Sequence, residues 1–134
     1  MRPANYSLEM ARILIVDDNK DCSDGLAKTL GIAGHEVTCV LNGRDALASI
    51  LAKMPDVVLL DLIMPEMDGP SFLEVVRSYL RLQSLPVVIL TALADSPMVS
   101  RAQALKVNTV LVKGKASAED IQNALEQAAV TVPS

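Results

Sequence analysis

Aromatic residues, cysteine and histidine are scarce in this chain of 134 residues. It contains one phenylalanine, two tyrosines, two cysteines, one histidine and no tryptophan. So few rings offer almost no platform on which unpaired bases or sugar rings could stack. No second Cys or His lies at zinc-finger spacing from Cys22 or Cys39, so a zinc site is not expected. We interpret both thiols as small, at least half-buried side chains in a reducing compartment.

Long apolar runs and an excess of positive charge are also missing. No stretch approaches the roughly 18 apolar residues that a membrane span needs, and residues 1–10 lack the apolar core of a signal peptide. The formal charge is -4, from 12 basic and 16 acidic residues, which argues against direct binding of nucleic acid. These absences predict a cytoplasmic protein with no membrane partner.

Aliphatic residues, in contrast, are abundant: 51% of the chain is hydrophobic. Many of them fall in five short runs that are rich in β-branched residues and do not alternate with polar ones. Such runs are typical of parallel strands buried on both faces. The five runs are 13–16, 37–40, 57–60, 87–90 and 110–112.

A helical pattern follows each of these runs. The third pattern is the longest, with Phe72, Val75, Val76, Tyr79 and Leu80 at i, i+3, i+4, i+7 and i+8. The others are marked by Leu26, Leu30 and Ala33, by Ala46, Leu47 and Ile50, by Ala102 and Leu105, and by Ile121, Ala124, Leu125 and Ala128. Three helix starts have signals of their own: Asn42 as a cap, Pro70 in a first turn, and Ser117 with Asp120 as a capping box. Five βα units in a row predict an α/β fold with an open, doubly wound parallel sheet.

Residues whose side chains can bind metal ions or take part in reactions lie at the ends of four of the five runs. Asp17 and Asp18 follow the first run, Asp61 follows the third, Thr91 ends the fourth and Lys113 ends the fifth. The carboxyl ends of parallel strands share one sheet edge, so we expect these side chains to meet there. Clustered carboxylates repel one another without a cation, and an oxygen-only ligand set suits Mg²⁺. The set therefore predicts formation of an acyl phosphate on one of the protein's own aspartates.

These residues stand in motifs that resemble the receiver domain of two-component response regulators. The motifs are ILIVDDN at 13–19, VVLLDLIMPEMDGPSFL at 57–73, PVVILTA at 86–92 and LVK at 111–113. The resemblance covers about residues 11–129. It implies a flavodoxin-like fold, with five parallel strands in the order 2-1-3-4-5 and five helices. We accordingly divide the chain into an N-terminal extension at 1–10, a receiver domain at 11–130 and a tail or linker start at 131–134.

The resemblance also implies a role for each site residue. Asp61 corresponds to the phosphoacceptor, Asp17 and Asp18 to the acidic pair that holds Mg²⁺, and the backbone carbonyl of Ile63 to a further metal ligand. Thr91 corresponds to the switch hydroxyl and Lys113 to the lysine that pairs with the phosphoryl group. The implied phosphodonor is a sensor histidine kinase or a phosphotransfer protein. The implied output is an effector protein or domain, or a phosphorylation-dependent homodimer, and the domain is a switch rather than an enzyme acting on other substrates.

Five positions bear on how such a switch would work here. Val110 stands where the family usually has an aromatic residue. Gly114 replaces the usual proline after the lysine, so we expect a trans peptide and a more mobile loop. Ile63 and Leu93 should flank the approach of water to Asp61, and their apolar side chains predict slow hydrolysis of the phosphoryl group. His35, the one histidine, is expected to be a solvated turn residue rather than a phosphocarrier.

Three readings of the whole chain remain open from the sequence. It is a stand-alone receiver, or a receiver cut from a larger regulator with residues 130–133 starting a linker. The third reading, a Mg²⁺-dependent phosphatase with an aspartate nucleophile, is disfavoured. Such an enzyme usually has a second aspartate as general acid two residues after the nucleophile, where this chain has Ile63.

Overall fold

The computed structural model describes residues 10–130 as a parallel sheet with helices on both faces. All pairings are parallel, and the strand order β2-β1-β3-β4-β5 confirms the predicted fold and topology. The strands are β1 (Arg12–Val16), β2 (Glu36–Val40), β3 (Val57–Leu60), β4 (Val87–Thr91) and β5 (Thr109–Val112). The predicted tail at 131–134 and, apart from Met10, the predicted extension at 1–10 lie outside the described residues.

Five α-helices and one 3₁₀ turn connect the strands. They are α1 (Lys20–Ile32), α2 (Gly43–Ala52), α3 (Gly69–Ser78), the 3₁₀ turn Leu80–Leu82, α4 (Pro97–Gln103) and α5 (Ala118–Ala129). A side-chain oxygen caps the N-terminus of every α-helix, including the predicted cap Asn42 and the predicted capping box of Ser117 and Asp120. In the span 10–130, every helix is too short or too polar to cross a bilayer.

The core has two halves, one on each face of the sheet. Alternate residues of β1 show the division: Ile13 and Ile15 pack with α1 and α5, whereas Leu14 and Val16 pack with α2, α3 and α4. Both halves draw on the same three strands, β1, β3 and β4, whose aliphatic side chains are buried. This explains why the runs for these strands contain no alternating polar residues.

The outer strands differ from the prediction that all five runs are buried on both faces. Every residue of β5 and three of five in β2 are only half-buried, and Glu36 and Thr38 of β2 are exposed. Each of these strands has a single neighbour, β1 for β2 and β4 for β5. The prediction was wrong for these edge strands because position in the sheet, which a short run does not encode, decides their burial.

The third helix is shorter than its apolar pattern indicated. It ends at Ser78, and Tyr79 has an extended backbone with ψ 125°. The chain then forms the 3₁₀ turn, which buries Leu82 and leaves Tyr79 and Leu80 exposed. The Arg77 guanidinium stabilises this arrangement by donating to four backbone carbonyls, those of Leu82, Leu85, Leu105 and Lys106.

Two further apolar positions also lie outside the helices to which the patterns assigned them. Ala33 follows the last residue of α1 and is exposed, and Leu105 follows α4, which has only seven residues. Helix α1 ends before Gly34, whose φ of 101° is a left-handed conformation that favours glycine.

His35 is buried, so the expectation of a solvated turn residue was wrong. Its side chain is fully buried, with 0% exposure. The backbone N–H of Ala11 donates to Nδ1 at 3.0 Å, and Nε2 lies 2.7 Å from a carboxylate oxygen of Glu126 on α5. Because Nδ1 accepts a hydrogen bond, this pattern assigns the ring proton to Nε2, which donates to Glu126. The side chain ties α5 to the start of β1, at the sheet edge opposite the carboxylates.

Candidate functional site

At the carboxyl edge of the sheet, the backbone hydrogen bonds between neighbouring strands continue for one residue beyond the strand ends. The N–H of Asp17 donates to the carbonyl of Val40 at 3.1 Å, and the N–H of Asp61 donates to that of Val16 at 2.9 Å. In the same way, the N–H of Lys113 donates to the carbonyl of Thr91 at 2.8 Å. The backbones of Asp17, Asp61 and Lys113 are therefore fixed by neighbouring strands although each residue lies just beyond its own strand.

Three carboxylates meet at this edge. Asp17 and Asp61 are buried, 3% and 5% exposed, whereas Asp18 is exposed. One oxygen from each carboxylate lies within 4.8 Å of the others. Lys113 bridges the two buried carboxylates, because its Nζ donates to Oδ2 of Asp17 at 3.0 Å and to Oδ2 of Asp61 at 3.2 Å.

Backbone amides orient the second oxygen of each buried carboxylate. Oδ1 of Asp17 accepts from the N–H of Asn19 at 2.8 Å, and Oδ1 of Asp61 accepts from the N–H of Ile63 at 3.2 Å. Asn19 has two roles, because its own side chain caps α1. Sequence reasoning missed this residue, although an Asn just before a helical pattern is a usual cap signal.

Thr91 is fully buried at the end of β4, the strand beside β3. Its hydroxyl accepts a hydrogen bond from the N–H of Leu93 at 3.3 Å. Lys113 follows the neighbouring strand β5. The five side chains singled out from the sequence thus stand at the ends of four strands along one edge of the sheet.

The ionisation of the central pair follows from burial and from mutual charge. Burial raises the pKa of Asp61, and the nearby negative charge of Asp17 raises it further, against the opposing effects of the Ile63 N–H and the Lys113 charge. Burial lowers the pKa of Lys113, but the carboxylates of Asp17 and Asp61 outweigh this effect and raise it overall. Lys113 is therefore a cation at neutral pH, and without a metal ion Asp61 retains its proton to higher pH than an ordinary aspartate.

The loop after Asp61 returns tightly to the strand end. The N–H of Gly69 donates to the carbonyl of Leu62 at 2.9 Å. A Cβ atom at Gly69 would lie 2.6 Å from Cα of Leu62 and 3.0 Å from the carbonyl oxygen of Asp61. Only glycine allows this approach, which explains the Asp68-Gly69 pair at the start of α3. Asp68, the first residue of that pair, caps α3 by accepting the N–H of Ser71.

Four positions expected to affect switching and hydrolysis lie around this edge of the sheet or on the neighbouring strand β5. Val110 is half-buried against the core half lined by α2, α3 and α4, and Gly114 has a φ of 85°. The peptide bond between Lys113 and Gly114 is trans, as predicted, like every other peptide bond in residues 10–130. Ile63 and Leu93 are exposed, at 40% and 55%, on the loops that follow β3 and β4.

The donor set fits a hard divalent cation. All three candidate groups are carboxylates, and their separations of up to 4.8 Å are close to the roughly 4 Å between opposite ligands of a Mg²⁺ ion. Two of the carboxylates are buried and the third is exposed to water. The cluster can therefore bind a metal ion while leaving positions for water or for the oxygens of a phosphoryl group.

This fold and edge geometry define a receiver-type signalling domain, and comparison with known proteins agrees. The chain belongs to the response regulator receiver domain family, whose sequence profile matches residues 13–126. Receiver domains are the signalling switches of two-component systems, and they interact with histidine kinases or phosphotransfer proteins and with effector domains.

Particular relatives support this assignment. The regulatory protein AtoC of Escherichia coli K12 is 43% identical over 84 residues, which is 63% of this chain but only 18% of AtoC. The chemotaxis response regulator CheY4 of Vibrio cholerae is 32% identical with a TM-score of 0.80, over 89% of this chain and 98% of that one. The response regulator Rcp1 is 26% identical with a TM-score of 0.74, over 95% of this chain and all of that one.

Proposed function

We propose that Asp61 is the phosphoacceptor of a two-component phosphorelay. The observation that supports this role is the bridge made by Lys113, whose ammonium contacts a buried oxygen of Asp61 and one of Asp17. Asp61 directly follows the central strand β3, and its backbone N–H bonds to the carbonyl of Val16, so its carboxylate is held at a fixed place on the sheet edge. A fixed carboxylate beside a fixed cation is suited to attack phosphorus and to stabilise the added charge afterwards.

The proposed metal ligands are the carboxylates of Asp17, Asp18 and Asp61 together with the backbone carbonyl of Ile63. Oxygen donors of this kind suit Mg²⁺. Rcp1, a structural relative, has been crystallised in a Mn²⁺-bound form, which supports the proposal that this chain binds a divalent cation. When bound, Mg²⁺ supplies positive charge beside the transferring phosphoryl group.

The proposed phosphodonor is a phosphohistidine on a sensor histidine kinase or a phosphotransfer protein. An oxygen of Asp61 attacks phosphorus, the P–N bond breaks as the P–O bond forms, and the imidazole leaves with the former bonding electron pair. Lys113 then pairs with the phosphoryl oxygens, and the Thr91 hydroxyl turns from the Leu93 N–H to donate to one of them. Hydrolysis of the acyl phosphate resets the site.

The proposed output is a change in a partner-binding surface, not the turnover of a separate substrate. The partner is an effector protein or domain, or a second phosphorylated copy of this chain. The match spans 18% of AtoC, so this proposal concerns the receiver function alone and not the activity of a complete regulator of that kind. We place the exchange in the cytoplasm and assign the switch to residues 11–130, with 1–10 as an extension and 131–134 as a tail.

The experiment is phosphorylation by acetyl phosphate, followed by intact-mass measurement. The parent protein should gain one phosphoryl group in the presence of Mg²⁺ and none after chelation. Asp61→Asn should gain none, whereas the matched control Asp24→Asn should behave like the parent. Asp24 is exposed on α1, where its carboxylate pairs with Lys20 at 3.6 Å. A phosphoryl group that persists in Asp61→Asn would contradict the assignment.

A further inference from the structure

An apolar groove between α2 and α3 is not used by the proposed phosphoryl chemistry. It consists of two adjoining depressions of about 380 and 260 Å³ that share Leu51. Leu47 and Met67 line the first, towards the start of both helices, and Met54 and Tyr79 line the second, towards their ends. We refer to the two together as the α2–α3 groove.

The walls of the groove include large side chains that the fold leaves in water. Leu51 is 50% exposed, Tyr79 39% and Leu80 84%. Tyr79 and Leu80 continue the apolar stripe of α3 in the sequence, yet the chain leaves the helix at Ser78 and turns both outward. Clustered exposed apolar side chains of this kind mark interaction surfaces, and the methionines give such a surface adaptability.

Charge at the groove indicates what kind of partner it fits. Arg44 lines the first depression and Arg81 the second. Within residues 10–130, these are the two arginines that have neither an ion pair nor a hydrogen bond. The other described arginines are all engaged: Arg12 with Glu36, Arg77 with backbone carbonyls, and Arg101 with Asp68 and Glu74.

We propose that the α2–α3 groove binds an amphipathic helix of another protein that has acidic residues at both ends. The ten residues of α2 correspond to roughly 15 Å of helix, so the partner segment spans about three turns. Its apolar side chains at i, i+4 and i+7 pack along Leu47, Leu51 and Tyr79, and its terminal carboxylates pair with Arg44 and Arg81. This is helix-in-groove recognition, with arginine providing directional contacts to carboxylates.

The proposal does not depend on phosphorylation of Asp61, and it is tested on the unphosphorylated chain. The probes are two labelled synthetic helical peptides of about 12 residues with leucine at i, i+4 and i+7. One has glutamates at both ends and the other has lysines at the same positions. Affinity is measured by fluorescence anisotropy, and the contact surface is mapped by amide chemical shifts.

The glutamate peptide should bind roughly tenfold more tightly, a ratio that corresponds to about 1.4 kcal/mol. Its shifts should centre on Leu47, Leu51 and Tyr79. The double variant Arg44→Glu with Arg81→Glu should reverse the preference. The matched double variant Lys28→Glu with Lys106→Glu makes the same change in net charge at two other unpaired cations and should keep it. Leu80→Asn, a neutral polar change at a highly exposed position, should weaken binding of either peptide without unfolding the chain.

Three outcomes would overturn the proposal. In the first, the two peptides bind equally well or not at all. In the second, both double variants change the preference to the same extent, which would show that the net charge of the chain, and not the groove, determines it. Alternatively, the chemical shifts of the groove residues depend on protein concentration, and adding the peptide does not change them. In that case, a second copy of the chain occupies the groove instead of a partner helix.

Discussion

Replacing Gly69 with alanine should distort the candidate site without touching any of its side chains. The added Cβ would lie 2.6 Å from Cα and 2.7 Å from Cδ2 of Leu62, and 3.0 Å from the carbonyl oxygen of Asp61. Carbon atoms in contact are normally about 3.5–4.0 Å apart, so the backbone at residues 61–62 must shift by roughly 1 Å. Overpacking of this kind typically costs about 1–3 kcal/mol. In a domain of this size we expect the melting temperature to fall by roughly 4–12 °C.

Gly25→Ala provides the matched control, because a Cβ at Gly25 on α1 would meet no atom within 4 Å other than those of the adjacent residues and the backbone of its own helix. That variant should be more stable than the parent, by about 0.5–1 kcal/mol, since glycine is unfavourable inside a helix. Both proteins are compared by thermal unfolding and by the rate of phosphorylation with acetyl phosphate. Gly69→Ala should be both less stable and slower, since 1 Å at the reacting carboxylate is a large displacement. Equal melting temperatures for Gly69→Ala and the parent would refute the reasoning.

Three further predictions concern the chemistry and the output. Ile63→Asn and Leu93→Lys should each speed dephosphorylation after removal of the donor, because a polar side chain there can position the attacking water; rates no faster than the parent's would remove support for water exclusion. Lys113→Met removes the hydrogen bonds to Asp17 and Asp61 and should lower the free energy of unfolding by about 2 kcal/mol at pH 7 in the absence of metal. The loss should shrink as the pH falls, because the pKa of Asp61 is already raised and its protonation relieves the unpaired charge; a loss independent of pH would be inconsistent with this cause. Beryllofluoride should change amide exchange across residues 92–106 although Val110 replaces an aromatic ring, and an unchanged pattern would place the output elsewhere.

The three central strands were predictable because burial on both faces of the sheet is the one physical cause of their sequence pattern. Three runs of aliphatic residues are buried on both sides, which only a parallel sheet covered by helices allows, and their positions agree with β1, β3 and β4. The site was predictable for the same reason. Once the strands are parallel, the residues that follow them share one edge, so Asp17, Asp61 and Lys113 had to be near one another.

Other features depend on contacts between distant parts of the chain. The burial of His35 requires both the N–H of Ala11 and the carboxylate of Glu126, 91 residues away in sequence. The early end of α3 depends on Arg77, which binds carbonyls in two loops. Because the helix ends there, Tyr79 and Leu80 are exposed and not buried as their pattern predicted. Local periodicity contains no information about such partners, and it therefore failed at these positions.

The way in which the strands hold the site residues has a consequence for engineering. Asp17, Asp61 and Lys113 are bonded through their backbones to neighbouring strands, whereas α4 has only seven residues and lies between two loops. The reacting groups and the helix expected to move thus belong to parts of the molecule with different local stabilities. We expect residues 94–104 to be exchangeable as a cassette between receivers, giving new output surfaces on an unchanged phosphoryl-transfer centre.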